Sequence, residues 1–234
     1  ETAGGDHRSS WESTAVLVLL VLAAFVRFWD IGYKPLHHDE SIHAVGAWKV
    51  WNGQGYAYDP TYHGPFMYYL TALMFFLFGD SDSTVRFGAA LCGILLCATP
   101  LLIRRHLGRW GTVIAVGLFA FSPVSWYMSR FIREDIFAAL FNVAAACFAL
   151  RWASTRKSSD LALAFASFSL TYCTKEISFI TGFIFVTLLV LAVLWDSVTG
   201  QKKTQDELAK AARDTQGWGW GLGLAAVIFL VFYS

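Results

Sequence analysis

Long apolar runs separated by short polar segments dominate this chain. Seven of them approach the roughly 17 to 25 residues that a helix needs to cross a bilayer. They cover residues 11–28, 87–103, 111–126, 136–152, 161–174, 177–195 and 218–233. An eighth run, 65–78, is shorter and rich in aromatic residues. The pattern predicts an all-α fold, a polytopic transmembrane helical bundle of about seven spans.

The charges of the loops predict which helix ends share a side of the membrane. Three loops are basic, at residues 104–109, 151–157 and 202–213. Basic loops favour the cytoplasmic side of a membrane. All three fall on that side, together with the N-terminus, only if run 65–78 does not cross the membrane. Residues 29–86 then form one long outside loop with a juxtamembrane amphipathic helix. We expect a multi-pass protein of the cell (plasma) membrane whose active face is outside.

Composition supports this class and excludes others. The chain has 234 residues, of which 56% are hydrophobic and 15% charged, against about 25% charged in soluble proteins. A net charge of +1 argues against a nucleic-acid partner. The cysteines lie inside apolar runs, so no disulfide framework is predicted. We interpret residues 1–234 as a single transmembrane module, the N-terminal part of a longer protein.

The string HHDE at residues 37–40 closely follows the first apolar run. A low dielectric and a second carboxylate at Glu40 favour Asp39 as a general base that deprotonates a hydroxyl. Asp39 and His43 are four residues apart on a helix, so a divalent metal held by His38, Asp39 and His43 is a second interpretation. The third is a solvated helix start with Asp39 as its cap.

Two further clusters fall on the same predicted side. In SRFIRED, at residues 129–135, Arg130 and Arg133 share a face and suit a phosphate, although an Arg130–Glu134 ion pair is the plainer alternative. Lys175 and Glu176 interrupt an apolar stretch, which predicts a lysine that binds an anionic head group beside a neutralising glutamate. A simple turn between two spans is the alternative. His63, in a Tyr-His-Gly-Pro string, is either a loop residue or a ligand.

The order of these motifs resembles the GT-C superfamily of membrane glycosyltransferases, in its protein O-mannosyltransferase and aminoarabinose-transferase-like branch. The resemblance covers about residues 11–195 and includes an arginine ahead of the second span, Arg86. Four strings are similar to a subgroup known as flippase-activity-associated proteins of archaeal N-glycosylation. These strings are HHDESIHA, YDPTYHGPFMYYLTAL, SRFIREDI and TKEISFI.

The resemblance implies a transferase that moves a sugar from a polyprenyl- or dolichyl-phosphate donor to an acceptor glycan, lipid or protein. It implies catalytic roles for Asp39, Glu40 and Asp135, and donor-phosphate binding by Lys175 with Arg130 or Arg133. Further residues are expected to contact the acceptor or to support this set: Glu134, His63, Glu176 and Arg86. A divalent metal is the candidate cofactor. The alternatives are a flippase or transporter component and a non-catalytic membrane scaffold.

Overall fold

The structure, a computed structural model, describes residues 10–57 and 59–233; residues 1–9, 58 and 234 lie outside the described part. The regular elements within it are helical, which confirms the predicted all-α class. The helices are α1 (Ser10–Phe28), α2 (His38–Trp51), α3 (Phe66–Phe78), α4 (Asp82–Ala98), α5 (Arg104–Phe121), α6 (Pro123–Met128), α7 (Glu134–Thr155), α8 (Ser158–Tyr172), α9 (Ser178–Thr199), α10 (Lys203–Arg213) and α11 (Thr215–Tyr233). Two 3-10 turns cover Pro60–Tyr62 and Thr99–Ile103.

Five described helices are long and apolar enough to cross a membrane: Trp11–Phe28, Asp82–Phe121, Glu134–Thr155, Ser178–Thr199 and Thr215–Tyr233. The second of them, of 40 residues, joins α4, the 3-10 turn Thr99–Ile103 and α5, whereas a bilayer core needs only about 20. It therefore contains two of the predicted spans. The predicted span 161–174 corresponds to α8, which has only 15 residues. The expected number of seven is thus approximate.

The 40-residue helix folds back on itself and packs both halves against α1. At its first half, Arg86 donates to the carbonyl of Ile31, just after α1. Arg104, in the middle, donates to Glu12 near the start of α1. Gly108 breaks the helix with φ 67°, a value that suits glycine. The halves are therefore two antiparallel passes.

The three basic loops meet at one end of the bundle, near the start of α1. The rings of Trp11 and Trp110 lie 4.7 Å apart, and Ser154 contacts His106 at 2.9 Å. Arg156 pairs with Glu207 in the third loop. We call this end, formed by residues 104–109, 151–157 and 202–213, the basic-loop end.

Helices α2 and α3 lie together at the opposite end. The N–H of Phe66, at the start of α3, donates to the carbonyl of Cys173 at 3.0 Å. At the end of α3, Phe78 packs on Phe87, which also contacts Phe28 at the end of α1. Both ends of α3 therefore meet the same end of the bundle, as expected for a run that does not cross. We call the opposite end, with residues 37–40, 62–65, 129–135 and 175–176, the site end.

A buried apolar core supports the site end from below. It joins α2, α3, α4 and α7 through fully buried side chains, among them Ala47, Met67, Phe75, Ala89 and Phe137. Large apolar side chains on α9 and α11 remain exposed, for example Phe183 and Leu230. Such exposure is expected where lipid, rather than water, surrounds the helices. The packed half of the molecule therefore carries the polar clusters.

Candidate functional site

Residues from three distant strings form a row of alternating charges at the site end. Asp39 Oδ2 lies 3.7 Å from Arg133 Nη1, and Arg133 Nε lies 3.6 Å from Asp135 Oδ2. Asp135 Oδ1 accepts a hydrogen bond from Lys175 Nζ at 2.7 Å. These four side chains, which we call the charge row, remain partly exposed. The geometry thus places a carboxylate at one terminus of the row and an ammonium group at the other.

The start of α2 explains why Asp39 faces outward. His37 is the cap: its ring accepts from the Asp39 N–H at 3.2 Å, and its own N–H donates to Glu40 at 3.0 Å. This reciprocal pair is a capping box with histidine in place of serine or threonine. The prediction that Asp39 caps the helix is therefore wrong. Asp39 keeps its carboxylate for the charge row.

Glu40 lies on the inner side of the same helix turn, with only 1% of its surface exposed. Arg86 donates to its two oxygens at 2.8 and 2.6 Å, and the Ile132 N–H donates at 3.3 Å. Burial alone would raise the pKa of Glu40, but the hydrogen bonds from Arg86 and His37 and the charge of Arg86 hold it below its usual range. Glu40 is thus enclosed by hydrogen-bond partners, and with Arg86 it lines the larger cavity described below.

His43 also points inward, so the expected metal set does not form. Its Nδ1 hydrogen-bonds to the Tyr68 hydroxyl at 2.9 Å, and its Nε2 lies 3.4 Å from Glu134. Burial lowers the pKa of His43 by more than the Glu134 carboxylate raises it. Within the described part of the chain, no three histidine, cysteine or acidic side chains are placed to hold a metal ion. The expectation for His38, Asp39 and His43 is therefore wrong in its geometry.

Arg130 is engaged at the end of α1 rather than at the charge row. Its Nη1 donates to the carbonyls of Val26 and Trp29 at 2.8 and 2.6 Å, and its Nη2 donates to that of Asp30 at 3.1 Å. An arginine is favourable there because the C-terminal carbonyls of a helix lack partners. The alternative Arg130–Glu134 ion pair is therefore not formed. Glu134 faces His43 instead.

Lys175 and Glu176 lie in the turn between α8 and α9, but they have different partners. Lys175 bonds to Asp135, whereas Glu176 Oε2 lies 2.6 Å from His63 Nδ1. Glu176 is therefore not the neutralising neighbour that the sequence suggested. The pair with His63 joins two strings that are 113 positions apart, and periodicity alone gives no signal for it.

One buried arginine was missed by the sequence reasoning. Arg27, near the end of α1, is fully buried and donates to Ser129, to Ser125 and to the carbonyls of Phe119 and Ala120. These carbonyls end α5, where the helix dipole favours a positive charge. A charged residue inside the end of an apolar run was the available signal. Arg27 holds the segment that carries the serine and arginines of SRFIRED.

Two cavities flank α2 at the site end. One, of about 870 Å³, is lined by aromatic side chains and by Lys34, His37 and Arg130. The other, of about 840 Å³, includes His38 and Tyr62. Asp39, Asp135 and Lys175 line neither of these two. Three members of the charge row therefore lie outside these two cavities, and they are partly exposed.

The fold described above is also found in known proteins. Three solved structures share the fold at 18–20% sequence identity. They are the S. cerevisiae protein O-mannosyltransferase Pmt1-Pmt2 complex bound to the sugar donor (TM-score 0.66, 96% of this chain and 33% of that one), ArnT from Cupriavidus metallidurans bound to undecaprenyl phosphate (0.67, 94% and 41%), and the archaeal oligosaccharyltransferase AglB from Archaeoglobus fulgidus, in complex with an inhibitory peptide and a dolichol-phosphate (0.69, 94% and 29%).

The chain belongs to the family of dolichyl-phosphate-mannose-protein mannosyltransferases, which matches residues 62–205. The match contains Arg133, Asp135 and Lys175, whereas Asp39 precedes it. The chain is also 32% identical over 151 residues to polyprenol-phosphate-mannose–protein mannosyltransferases of Mycolicibacterium smegmatis and Mycobacterium tuberculosis. The alignments cover 60% of this chain and 28 to 29% of those relatives. The flippase-associated subgroup is not among these matches.

Proposed function

We propose that the chain is the donor-binding and catalytic part of a membrane glycosyltransferase that uses a lipid-phosphate-linked sugar. The observation that carries this proposal is the charge row, in which Asp39 and Lys175 lie at opposite ends of a partly exposed set of four charges. The family and its mycobacterial relatives point to mannose on a polyprenyl or dolichyl phosphate as the donor, and to a protein as the acceptor.

The reaction requires one base and one site of positive charge. The acceptor hydroxyl oxygen attacks the anomeric carbon, the bond from that carbon to the phosphate oxygen breaks, and the lipid phosphate leaves. The hydroxyl proton passes to the carboxylate of Asp39. The leaving phosphate gains negative charge, which a lysine and an arginine stabilise by charge-assisted hydrogen bonds. Lys175 and Arg133 supply these groups in the proposal.

Asp135 and the inner residues support this arrangement. Asp135 lies between Arg133 and Lys175 and orients both cations. Below the charge row, Arg86 neutralises Glu40, and His43 lies against Glu134. We therefore assign Glu40, Glu134 and Arg86 to holding the start of α2 and α7 in place, and not to contact with substrate.

We infer that the site end faces the outside of the plasma membrane and that the N-terminus is cytoplasmic. The support is the gathering of the three basic loops at the other end of the bundle, because basic loops favour the cytoplasm. The donor sugar would then be used on the outer face. Cysteine labelling with a membrane-impermeant reagent tests this, with Asp59→Cys expected to react and Ser197→Cys to remain protected in sealed cells.

The test of the proposed function compares Asp39→Asn with Asp80→Asn in the purified protein, reconstituted in lipid and supplied with polyprenyl-phosphate-linked mannose. Both acids lie in the stretch between α1 and α4. Loss of a general base lowers the rate about 10²- to 10⁴-fold, so Asp39→Asn should abolish measurable transfer while Asp80→Asn keeps it. Equal rates in both variants would refute the role of Asp39.

The proposal as a whole is refuted if no lipid-phosphate sugar donates and the protein instead moves lipid between leaflets of vesicles. That result would support the flippase interpretation. Within the described residues we find no feature that favours it over transfer.

A further inference from the structure

The string His63, Gly64 and Pro65, which we call the HGP clamp, holds the turn between α8 and α9. The Gly64 N–H donates to the carbonyl of Thr174 at 3.1 Å, and the Phe66 N–H donates to that of Cys173 at 3.0 Å. These bonds join the two residues that flank Pro65 to two consecutive residues at the end of α8. Lys175 and Glu176 directly follow Thr174 in the chain. The clamp therefore contacts the turn next to the lysine of the charge row.

His63 has a backbone conformation that residues other than glycine seldom adopt. Its φ is 62° and its ψ is −154°, a region that persists only where surrounding contacts enforce it. Two contacts do so here. The Tyr56 hydroxyl donates to the His63 carbonyl at 2.5 Å, and the His63 ring bonds to Glu176 at 2.6 Å. A strained residue held by two partners indicates a position that must be fixed.

Gly64 allows the two segments to approach closely. A Cβ at this position would lie 2.2 Å from the carbonyl oxygen of Cys173, which is backbone and cannot move aside as a side chain could. Any other residue would therefore push the clamp away from the turn. The short approach and the strain at His63 act on the same turn.

We propose that the HGP clamp positions Lys175, with His63 and Gly64 as positioning residues. His63 holds Glu176, the neighbour of Lys175. The Gly64 N–H bonds to the carbonyl of Thr174, the residue before Lys175. Lys175 is then directed at Asp135 and toward the phosphate of a lipid-phosphate donor. This inference rests on the proposed function for the phosphate, but the placement of Lys175 can be measured without it.

The experiment compares four variants of the purified protein in lipid nanodiscs. His63→Leu removes the bond to Glu176. His63→Asn keeps an N–H donor near the position of Nδ1, and asparagine tolerates a positive φ better than leucine. Gly64→Ala introduces the clash with Cys173. Gly223→Ala, in α11, is the matched control because a Cβ there meets nothing within 4 Å.

The first measurement is the affinity for undecaprenyl phosphate. His63→Leu and Gly64→Ala should each weaken it about tenfold, as expected when one charge-assisted hydrogen bond is misplaced. His63→Asn should recover most of the affinity, and Gly223→Ala should match the wild type. If His63→Leu binds as tightly as the wild type, the proposal is wrong.

A double-mutant cycle shows whether His63 acts through the lysine. If it does, His63→Leu should have little further effect in a Lys175→Met background, because coupled residues are not additive. Additive losses would mean that His63 contacts the ligand itself or acts elsewhere, and they would overturn the positioning role. The His63 variants also keep the test valid if Gly64→Ala does not fold.

The second measurement is the rate at which an amine-reactive ester labels Lys175, read by mass spectrometry against the exposed Lys49 in the same protein. Release of Lys175 from Asp135 should raise its labelling relative to Lys49 in His63→Leu, but not in His63→Asn. If the wild type binds no lipid phosphate, the proposed function is wrong. The labelling rate still shows whether the HGP clamp positions Lys175. An unchanged rate in His63→Leu would contradict the positioning of Lys175.

Discussion

Two ion pairs, one at each end of the helical bundle, differ in how deeply they are buried. At the basic-loop end, the buried Glu12 accepts two short hydrogen bonds from Arg104, at 2.5 and 2.8 Å. At the site end, Asp39 and Arg133 are separated by 3.7 Å and are both more than 40% exposed. A buried carboxylate that already accepts hydrogen bonds loses these bonds if it binds a proton or a ligand. The buried Glu12–Arg104 pair is therefore suited to stabilise the fold, as is the buried Glu40–Arg86 pair of the site end, whereas the charge row is accessible to a ligand.

The same contrast exists within one turn of α2. Glu40 is enclosed by Arg86 and backbone N–H groups, whereas its neighbour Asp39 meets Arg133 at the surface. The two adjacent carboxylates thus lie in different environments. Glu40 is buried at the helix start, and Asp39 is the group that we propose to react with the acceptor. The predictions below test this division from the largest expected effect to the smallest.

The largest effect is expected for Arg86→Met. This change leaves the Glu40 carboxylate buried without its cation, and breaking a buried pair from one side costs about 3–5 kcal/mol. Denaturant titration in detergent micelles measures the loss in free energy of unfolding. The double variant Arg86→Met/Glu40→Met should recover part of it, because the lone buried charge is then absent. A loss below about 1 kcal/mol for Arg86→Met, the range of exposed pairs, would contradict the contrast.

A smaller loss is expected at the basic-loop end for Glu12→Gln. The amide keeps the shape but weakens two charge-assisted bonds from Arg104, which costs about 1–3 kcal/mol. The affinity for a lipid phosphate should not change, since this pair lies at the other end of the bundle. Glu207→Gln, which alters partly exposed pairs with Arg156 and Lys210, is the control and should have a smaller effect on stability because neither pair is buried. A change in lipid-phosphate affinity for Glu12→Gln would show that the ends are coupled.

Much of the fold and part of the site could be predicted from the sequence. Apolar runs predicted the spans, and the charge of the loops predicted that Asp39, Asp135 and Lys175 share one end. The partition between Asp39 and Glu40 could not be predicted, because it depends on Arg86, 46 positions away. The surroundings of Arg130 and His43 also depend on distant residues. Arg130 donates to backbone carbonyls at the end of α1, and His43 contacts Tyr68 and Glu134, so no local pattern along the sequence indicates these partners.

The pH dependence of stability should reflect the inner residues of the site end. The pKa values of Glu40 and His43 are both lowered in the folded protein, from ordinary values of 4.5 and 6.5. At acidic pH the unfolded chain therefore binds more protons than the folded protein does. The free energy of unfolding consequently decreases as the pH is lowered. The loss linked to His43 should begin below pH 6.5, and that linked to Glu40 below pH 4.5. Thermal unfolding measured from about pH 8 down to about pH 3 covers both ranges.

The variant His43→Gln separates the two contributions. It should remove the part of the decline that begins below pH 6.5 and leave the decline in the carboxyl range. Since burial is the main cause of the lowered pKa of His43, a decline that stays unchanged in this variant would mean that His43 is not responsible for it.

The smallest effect on stability is expected for Asp39→Asn and Arg133→Met. Exposed ion pairs contribute about 0–1 kcal/mol, so each variant should unfold within about 1 kcal/mol of the wild type in the same denaturant titration. Transfer activity should nevertheless disappear in Asp39→Asn. Little loss of stability together with a large loss of activity is what distinguishes a reacting group from an anchoring one. If Asp39→Asn destabilised the fold as much as Arg86→Met does, Asp39 would be an anchor like Glu40, and the division within α2 would not hold.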